Sequence, residues 1–475
     1  MALDADAAKL LADAAERARR YLAGLDERPV APDQAALAGL VAFDEPLPEG
    51  PGDPAATVAL LDEAGSPATV ASAGGRYFGF VTGGSLPVAV AANWLAGAWD
   101  QNTALPVMSP VAARLHQVVT GWLTGLLGLP AGTAAVFVTG TAMANTAALT
   151  AARDEQLARA GWDVQSNGLF GAPELTVVVG QHAHATLLRA LGVAGLGRDR
   201  VIRVPADDQG RIRPACLPMS VAGPAVICAQ AGEVNTGAFD PFLEIVAWAR
   251  ERDAWVHVDG AFGLWALADP TRANLTAGLA DADSWAADAH KWLNVPYDCG
   301  ICLARRPADL RRSFASVAGY LPPDAGFEAS HHTPQASQRA RQVEVWAVLR
   351  TLGRQGVADL VTRLCGYAQK MAAMLRQAGL EVLNDVVLNQ VLVRAGSDAL
   401  TTALVDAVQQ DATCWCGPTL WQGRPAMRIS ISGWATSDQD IEISAHAIIA
   451  AAQRTAGRPV ANHDASPDLA DGPRH

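Results

Sequence analysis

The residue best suited to covalent chemistry in this chain is Lys291, one of only three lysines among 36 basic residues. Arginine can carry surface charge as well as lysine can, but its guanidinium does not lose a proton and cannot form an imine with an aldehyde. A lysine kept in an arginine-dominated chain, and followed by the apolar Trp292 and Leu293, therefore indicates amine chemistry rather than an ordinary surface charge.

Asp259 supplies a carboxylate 32 residues before Lys291, at the end of an otherwise apolar strand candidate. Open α/β sheets bind ligands outside the carboxyl ends of their strands. A carboxylate there can keep a pyridine nitrogen protonated, which makes the ring an electron sink. Alone, such an aspartate is more often a turn or helix-capping residue. Together, Asp259 and Lys291 predict a site for pyridoxal 5'-phosphate.

Two further segments could complete this site. His184 follows a strand candidate and could stack on the cofactor ring or present a nitrogen to the substrate. The alternative is a solvent-facing loop histidine, a role that His182 could also fill. Residues 139–145, Thr-Gly-Thr-Ala-Met-Ala-Asn, join a strand to a helix, where backbone donors and the helix dipole bind phosphate. They do not match the multi-glycine nucleotide-binding patterns.

The elements that would position these residues follow an α/β pattern. Apolar residues recur at helical spacing over about 3–24 and 111–127, which predicts two amphipathic helices. Strand candidates lie at 135–138, 175–179, 201–204, 225–228, 255–258 and 301–304. Several of these runs are apolar throughout, as strands covered on both faces are. The sequence therefore predicts a mostly parallel sheet between helices.

Composition shifts divide the chain into four predicted regions. These are an N-terminal helical segment (1–84), a large cofactor-binding domain (85–350), a small C-terminal α+β domain (351–458) and a disordered tail (459–475). The small domain has strand candidates at 381–394 and 426–432 and helix candidates at 399–410 and 438–452. Ser437 is predicted to cap the last of these helices.

The overall composition argues against several other classes of protein. A net charge of −12 and a pI near 5.3 disfavour a nucleic-acid or anionic-membrane partner. The seven cysteines are scattered, and Cys299 and Cys302 have no second ligand pair at zinc spacing, so no metal site is expected. The N-terminus lacks a signal-peptide pattern, and no apolar run reaches the roughly 18 residues of a membrane span, so we expect a cytoplasmic protein.

These motifs together resemble the pyridoxal-phosphate-dependent group II amino acid decarboxylases, the family of the aromatic amino acid, glutamate and histidine decarboxylases. The resemblance runs from about Arg76 to Trp434. Its most specific parts are His257-Val-Asp-Gly-Ala-Phe and Asp288-Ala-His-Lys-Trp-Leu-Asn-Val-Pro-Tyr-Asp-Cys-Gly. The segments 235–241 and 109–110 add support.

The resemblance implies a fold-type I, transferase-like enzyme with a seven-stranded, mostly parallel sheet. It also implies a homodimer in which active sites lie between subunits and the N-terminal segment embraces the partner. Lys291 would form the Schiff base, Asp259 would bind the ring nitrogen and His184 would stack on the ring. The other residues expected around the cofactor are Thr141, Ala142, Ala261, Asp288 and His290. The residues expected at the substrate are Phe80, Asn102, Ala104 and Arg428, with 102–104 reached from the neighbouring subunit.

Three positions depart from the family pattern. Ala142-Met143 stand where many members have Ser or Thr followed by Glu, so Thr141 or the backbone would bind the phosphate. Glu233-Val234 stand where Thr-Thr is common. Ala329 falls near the place of a loop tyrosine thought to protonate the carbanion, and His331 and His332 lie beside it.

The sequence thus predicts a pyridoxal-phosphate-dependent decarboxylase that converts an L-amino acid to its amine and carbon dioxide. Phe80 favours an aromatic substrate slightly, although Asn102 is polar and Ala104 is small. The missing tyrosine keeps two other outcomes open, oxidative deamination to an aldehyde and another carbon–carbon lyase reaction. A non-catalytic protein that kept the fold is the alternative of a different class. The substrate, the product and the proton donor are left open.

Overall fold

A computed structural model describes residues 4–315 and 328–457 of the 475-residue chain. The tail predicted to be disordered, 459–475, lies outside the described residues. The helices are α1 (Ala5–Ala23), α2 (Gln34–Gly39), α3 (Pro54–Ala68), α4 (Pro87–Trp99), α5 (Pro110–Leu126), α6 (Thr141–Arg159), α7 (Val164–Asn167), α8 (Ala185–Val193), α9 (Phe242–Arg250), α10 (Pro307–Phe314), α11 (Gln342–Gln377), α12 (Asp398–Asp411) and α13 (Asp438–Ala456). The strands are β1 (Ala134–Val138), β2 (Thr176–Gly180), β3 (Val201–Val204), β4 (Ala225–Gln230), β5 (Trp255–Asp259), β6 (Ser284–Asp288), β7 (Gly300–Ala304), β8 (Glu381–Val382), β9 (Gln390–Arg394), β10 (Gly417–Trp421) and β11 (Arg424–Ser430). Of the helices in this part of the chain, none is long and apolar enough to cross a membrane.

The central sheet has seven strands in the order β1-β7-β6-β5-β4-β2-β3. Neighbours from β6 to β3 are parallel, and β7 runs antiparallel to both β1 and β6. This confirms the predicted mostly parallel seven-stranded sheet and all six strand candidates. Strand β6 was missed because its residues, Ser-Trp-Ala-Ala-Asp, contain none of the β-branched side chains that mark a strand in sequence.

Helices cover both faces of this sheet. Along β2, Val177 and Val179 pack with α6 and α8, whereas Val178 points to the opposite face and joins a core with α9 and α11. Strands β1, β4, β5, β6 and β7 are buried along their whole length. This double coverage explains why their sequences are apolar throughout rather than alternating.

The small C-terminal sheet is antiparallel, with the order β10-β11-β9-β8. The prediction of one strand over 381–394 is wrong, because this stretch forms two strands, β8 and β9, separated by a loop. Asn384 stabilises this loop, because its Nδ2 donates to the carbonyls of Thr236 and Gln390. Strand β10 was also missed. Helices α12 and α13 are confirmed, and Ser437 caps α13 in a reciprocal pair with Asp440.

The predicted domain boundary at 350/351 falls inside α11, three residues before a break in that helix. Gly353 adopts a φ of 62° there, a left-handed conformation that glycine adopts without steric cost. The division into domains stays a prediction.

The segment between α3 and α4 crosses from the small sheet to the large domain. The backbone of Phe78 pairs with Trp415 and Ser430 of the small domain. Phe80 and Val81 follow with φ values of 52° and 61°, which cost energy for residues with side chains. Gly83 then lies directly against the main chain of Lys291. The crossing segment therefore connects the small sheet to the predicted imine-forming lysine.

Gly83→Ala tests this close approach. A Cβ at position 83 would overlap the carbonyl oxygen of Lys291, so the backbone there must shift. We expect the free energy of unfolding to fall by more than about 2 kcal/mol and cofactor binding to weaken, measured by urea unfolding and by titration with pyridoxal phosphate. The matched control is Gly366→Ala on the exposed face of α11, where nothing meets the added Cβ and helix propensity should raise stability by about 0.5–1 kcal/mol. Equal effects of the two substitutions would contradict the close packing.

Candidate active site

A cavity of about 360 Å³ lies at the carboxyl edge of the large sheet, between the sheet and the crossing segment. It contains ten of the twelve predicted site residues: Phe80, Thr141, Ala142, His184, Asp259, Ala261, Asp288, His290, Lys291 and Arg428. It does not contain Asn102 or Ala104. A larger cleft of about 700 Å³ includes Asn102, but neither Lys291 nor Asp259 lines it. The chemistry therefore lies in the smaller cavity.

Strand order explains why residues far apart in sequence meet in this cavity. Gln230, Asp259 and Asp288 are the last residues of β4, β5 and β6, which are adjacent and parallel. Their side chains therefore reach the same edge of the sheet. Strand β1 runs in the same direction and delivers the N-terminus of α6, with Thr141, to this edge.

Asp288 holds the lysine and the helix start together. Its Oδ2 lies 3.0 Å from Lys291 Nζ, and its Oδ1 accepts a 2.7 Å hydrogen bond from the Thr141 amide. Burial pushes the pKa of Asp288 upward, but Lys291, His290 and these hydrogen bonds outweigh it and hold the pKa below its usual range. Asp288 is thus a buried anion that fixes the amine at the cavity wall.

Asp259 is buried and lacks an equally strong partner. Its Oδ2 accepts a 3.1 Å hydrogen bond from Asn145 Nδ2, and its Oδ1 accepts a longer one of 3.3 Å from the Ala261 amide. Burial raises the pKa of Asp259, although His184 and Lys291 oppose the shift. A cation placed against this buried carboxylate would stabilise its ionised form, and a protonated pyridine nitrogen is such a cation.

The two histidines of the cavity are held by defined contacts. His184 caps the N-terminus of α8, and its Nδ1 lies 2.7 Å from Thr186 Oγ1 and accepts from the Thr186 amide at 3.3 Å. Burial lowers the pKa of His184, so the ring is neutral with its proton on Nε2. His290 Nδ1 accepts from the Cys299 amide at 3.1 Å, and burial lowers the pKa of His290 as well.

The cavity also has a polar group without a partner. Thr141 Oγ1 is buried and makes no hydrogen bond within the described residues. It stands at the first residue of α6, where helix amides and the helix dipole favour an anion. A phosphate bound here would satisfy this hydroxyl. With Lys291 and Asp259 at the other sides of the cavity, the residues present fit pyridoxal phosphate.

Residues 72–395 match the family described as the pyridoxal-dependent decarboxylase conserved domain. The chain belongs to this family. It is a carboxy-lyase, and its cofactor is pyridoxal phosphate.

This decarboxylase is similar in sequence to two curated relatives and in fold to a solved structure. It is 31% identical over 455 residues to an L-2,4-diaminobutyrate decarboxylase of Rhizobium meliloti (strain 1021), covering 91% of this chain and 88% of the relative. It is 27% identical over 315 residues to an aromatic-L-amino-acid decarboxylase of Bacillus atrophaeus, covering 64% and 63%. Its fold matches the crystal structure of Oryza sativa TDC with PLP and tryptamine with a TM-score of 0.88 at 21% identity, covering 96% and 99% of the two chains.

The remaining predicted residues lie together outside the cavity. The Ser330 amide donates to the carbonyl of Ala104 at 3.3 Å, and Asn102 Nδ2 donates to Ser337 Oγ at 3.2 Å. Ala329, at the place of the family's loop tyrosine, starts a short turn with His331. Residues 102–104 and 329–332 therefore form one patch, which does not reach the decarboxylase's own cavity.

Sequence reasoning assigned no cavity role to several residues. Gln230, Thr186 and Phe262 line the cavity, as does Val234, which the sequence marked only as a departure from the family pattern. Asn145 belongs to the predicted phosphate-binding segment 139–145, but it lies behind Asp259. Asn145 had one usable signal, since it lies four residues after Thr141 and so shares its face of α6. The others depend on strand register and loop geometry, for which the sequence has no pattern.

Asp288→Asn tests the buried anion in the cofactor-free protein. The folded-state pKa of Asp288 lies below its usual value of 3.8, so the ionised group adds stability above that pH and loses it as the pH falls through the folded-state pKa. We expect the variant to lose about 2 kcal/mol of unfolding free energy at neutral pH. The difference from wild type should narrow in acid. A pH-independent difference, measured by urea unfolding across the acid range, would argue against a charged Asp288.

Proposed function

We propose that this decarboxylase releases carbon dioxide from an L-amino acid with an aromatic side chain and forms the corresponding amine. The observation that carries the proposal is the aromatic ring of Phe80 in the cavity wall, which clusters with two further aromatic rings. The ring centroids of Phe80 and Trp415 are 5.3 Å apart, and Tyr77 stacks on Trp415 with centroids 5.2 Å apart. Phe80 itself lines the cavity and is 62% exposed, so it offers an open ring face to a flat substrate.

The position and charge of Arg428 support a role for its guanidinium in binding the substrate carboxylate. It lines the cavity, and within the described residues no carboxylate lies within ion-pair distance of its guanidinium. Burial lowers the pKa of Arg428, while Glu233 opposes the shift. A substrate carboxylate would pair with this cation in the planar geometry that guanidinium groups favour.

The cofactor and the groups around Lys291 would each have a separate role in the reaction. Bound pyridoxal phosphate supplies the electron sink for the bond that breaks between the α-carbon and the carboxylate. With the cofactor bound, Asp259 would keep a negative charge against the ring nitrogen, and Asp288 would hold Lys291 Nζ at the cavity wall. Loss of carbon dioxide would leave an electron pair on the α-carbon, which must take up a proton. Residues 329–332 lie away from this cavity, so they would not supply that proton within one chain.

A diamino acid is the second candidate substrate, because the 31%-identical relative is an L-2,4-diaminobutyrate decarboxylase. A cationic side chain would need a carboxylate to receive it. Asp288 is engaged by Lys291, Asp259 lies at the ring-nitrogen position, and Glu233 accepts hydrogen bonds of 2.7 Å from the amides of Asn235 and Thr236. The charges of the described cavity thus favour the aromatic substrate over the diamino acid.

The decisive experiment supplies the purified, cofactor-loaded protein with L-tryptophan, L-tyrosine, L-phenylalanine, L-2,4-diaminobutyrate and L-glutamate, and measures carbon dioxide and organic product. We expect carbon dioxide and amine from at least one aromatic substrate. Lys291→Ala should abolish both this activity and borohydride trapping of the cofactor, whereas Lys370→Ala should preserve both, because Lys370 only pairs with Asp438 and Glu442 on the surface. Preference for L-2,4-diaminobutyrate would overturn the aromatic assignment. Aldehyde and peroxide would indicate the altered outcome, and absence of all turnover a non-catalytic protein.

Phe80→Ala in the same assay separates substrate binding from general damage. Loss of the ring should raise KM for an aromatic substrate about ten-fold, the size of a typical aromatic contact and its buried area. Phe170→Ala is the matched control, because that ring is 98% exposed and does not line the cavity.

We also propose that the decarboxylase is a homodimer whose active sites lie between subunits. The N-terminal helices α1, α2 and α3 bury none of their residues in a single chain. Leu11, Val41 and Leu61 on this segment are 59%, 69% and 64% exposed. Apolar helix faces of this kind favour a protein partner. The patch of residues 102–104 and 329–332 could then reach the cavity of the other subunit.

Subunit complementation tests the shared site. Lys291→Ala lacks the amine, and Asn102→Trp, at a half-buried position of the patch, should fill the partner's cavity, so each variant alone is expected to be inactive. Unfolding, refolding and random mixing should restore about a quarter of wild-type activity, since half of the dimers are mixed and each of these has one intact site. Sedimentation equilibrium establishes the dimer independently. Sites contained within single subunits would give no recovery on mixing.

A further inference from the structure

Behind Asp259 lies a chain of buried polar side chains that the proposed chemistry does not use directly. Trp255 Nε1 donates to Ser284 Oγ at 2.9 Å, and Ser284 Oγ lies 2.8 Å from His257 Nδ1. His257 Nε2 lies 2.9 Å from Asn145 Oδ1, and Asn145 Nδ2 donates to Asp259 at 3.1 Å. We call Trp255, Ser284, His257 and Asn145 the relay. Its members are at most 1% exposed.

While Asp259 is ionised, one arrangement of protons satisfies every member of the relay. An indole nitrogen only donates, so Ser284 accepts from Trp255 and can donate its own proton to His257 Nδ1. The histidine then carries its proton on Nε2, which donates to Asn145 Oδ1. The reversed tautomer would need the amide of Asn145 to rotate, which would place Asn145 Oδ1 against the carboxylate of Asp259. With Asp259 ionised, the amide of Asn145 therefore cannot rotate without losing a buried hydrogen bond.

The charge state of His257 agrees with this direction. Burial lowers the pKa of His257 to about 3, so the ring is neutral at ordinary pH. A neutral histidine with its tautomer fixed is a rigid support rather than a titrating group. The sheet also fixes the spacing, because His257 and Ser284 are paired neighbours on β5 and β6.

We infer that Asn145 is a positioning residue, fixed by the rest of the relay so that its amide always donates to Asp259 and keeps Asp259 an anion against the ring nitrogen of the cofactor. A hydrogen bond from Asn145 stabilises the charged carboxylate over the protonated acid. Without it, the proton shared between Asp259 and the ring nitrogen moves toward Asp259. The ring then becomes a weaker electron sink.

This inference rests on the cofactor being bound against Asp259, as proposed above, but not on the identity of the substrate. The test therefore reads the ring nitrogen directly. Apoenzyme is reconstituted with ¹⁵N-labelled pyridoxal phosphate, and the nitrogen NMR signal reports whether the ring is protonated. An unprotonated ring in the wild-type enzyme would contradict the position of Asp259 against the ring nitrogen. A ring that is protonated in wild type and in every variant would contradict only the proposed role of the relay.

Asn145→Leu and His257→Phe remove one relay member each at nearly constant size. Each should move the nitrogen signal toward the unprotonated form and lower kcat roughly ten- to hundred-fold, the range for a lost hydrogen bond to a charged group. Because the two residues act through one contact, the double variant should be no worse than the more damaged single variant. Losses that multiply would contradict the relay.

The matched control is His116→Phe. His116 is also a buried histidine whose pKa burial lowers to about 3, and its ring packs on Phe137 of β1, with centroids 5.5 Å apart, rather than on Asp259. This substitution should leave the nitrogen signal unchanged even where it lowers stability. A shifted signal would mean that loss of any buried histidine disturbs the ring.

Asn145→Asp provides a second test if Asn145→Leu and His257→Phe prevent folding. The introduced carboxyl can donate to Asp259 only while it is protonated, so the nitrogen signal should match wild type at low pH and depart from it as the pH rises. The other titratable groups that act on Asp259 are His184, Lys291 and Cys228, and all three are unchanged in this variant. A departure that does not vary with pH would overturn the inference.

Discussion

Burying Asp259 and Asp288 at the ends of neighbouring strands costs free energy that only positive charge and hydrogen-bond donors can offset. Asp288 receives both from the chain itself, through Lys291 and the Thr141 amide. Asp259 receives donors but, among the described residues, no cation within ion-pair distance, and burial raises its pKa. This difference between two carboxylates on adjacent strands is the basis of the proposed mechanism. In that proposal, Asp288 fixes the reactive amine, and Asp259 holds the cation that arrives with the cofactor.

The rest of the fold keeps this arrangement enclosed. The crossing segment places Phe80 and Val81 in left-handed conformations between the two domains, and its Gly83 packs on the main chain of Lys291. Such strain persists only where surrounding contacts over-determine the backbone. Here those contacts are the backbone pairing of Phe78 and the ring of Trp415. The small sheet thus borders the cavity through the segment that it holds, as well as through Arg428 of β11.

Two features of the single chain are consistent with the proposed homodimer. Residues 102–104 and 329–332 contact each other and lie away from the cavity, while the N-terminal helices expose apolar side chains. A second subunit would cover the exposed apolar side chains and would bring the patch of one chain to the cavity of the other. Ala329, which occupies the position of the family's loop tyrosine, belongs to this patch, so in the proposed homodimer the proton donor could come from the second subunit.

The sequence by itself determined the chemistry and most of the sheet. The scarcity of lysine singled out Lys291, and six of the seven strands were marked by their composition, most of them as apolar runs because helices bury both of their faces. Motifs that resemble the decarboxylase family predicted ten residues that the structure brings to one cavity. Tertiary structure decided most of the rest. Strand β6 has little β-forming composition and depends on pairing with β5 and β7. Strand β10 was missed although it pairs with the adjacent β11 across the two-residue turn of Gln422 and Gly423. The contact of Asn145 with Asp259 joins residues 114 positions apart, and strand order, which local sequence patterns do not encode, decides that they meet.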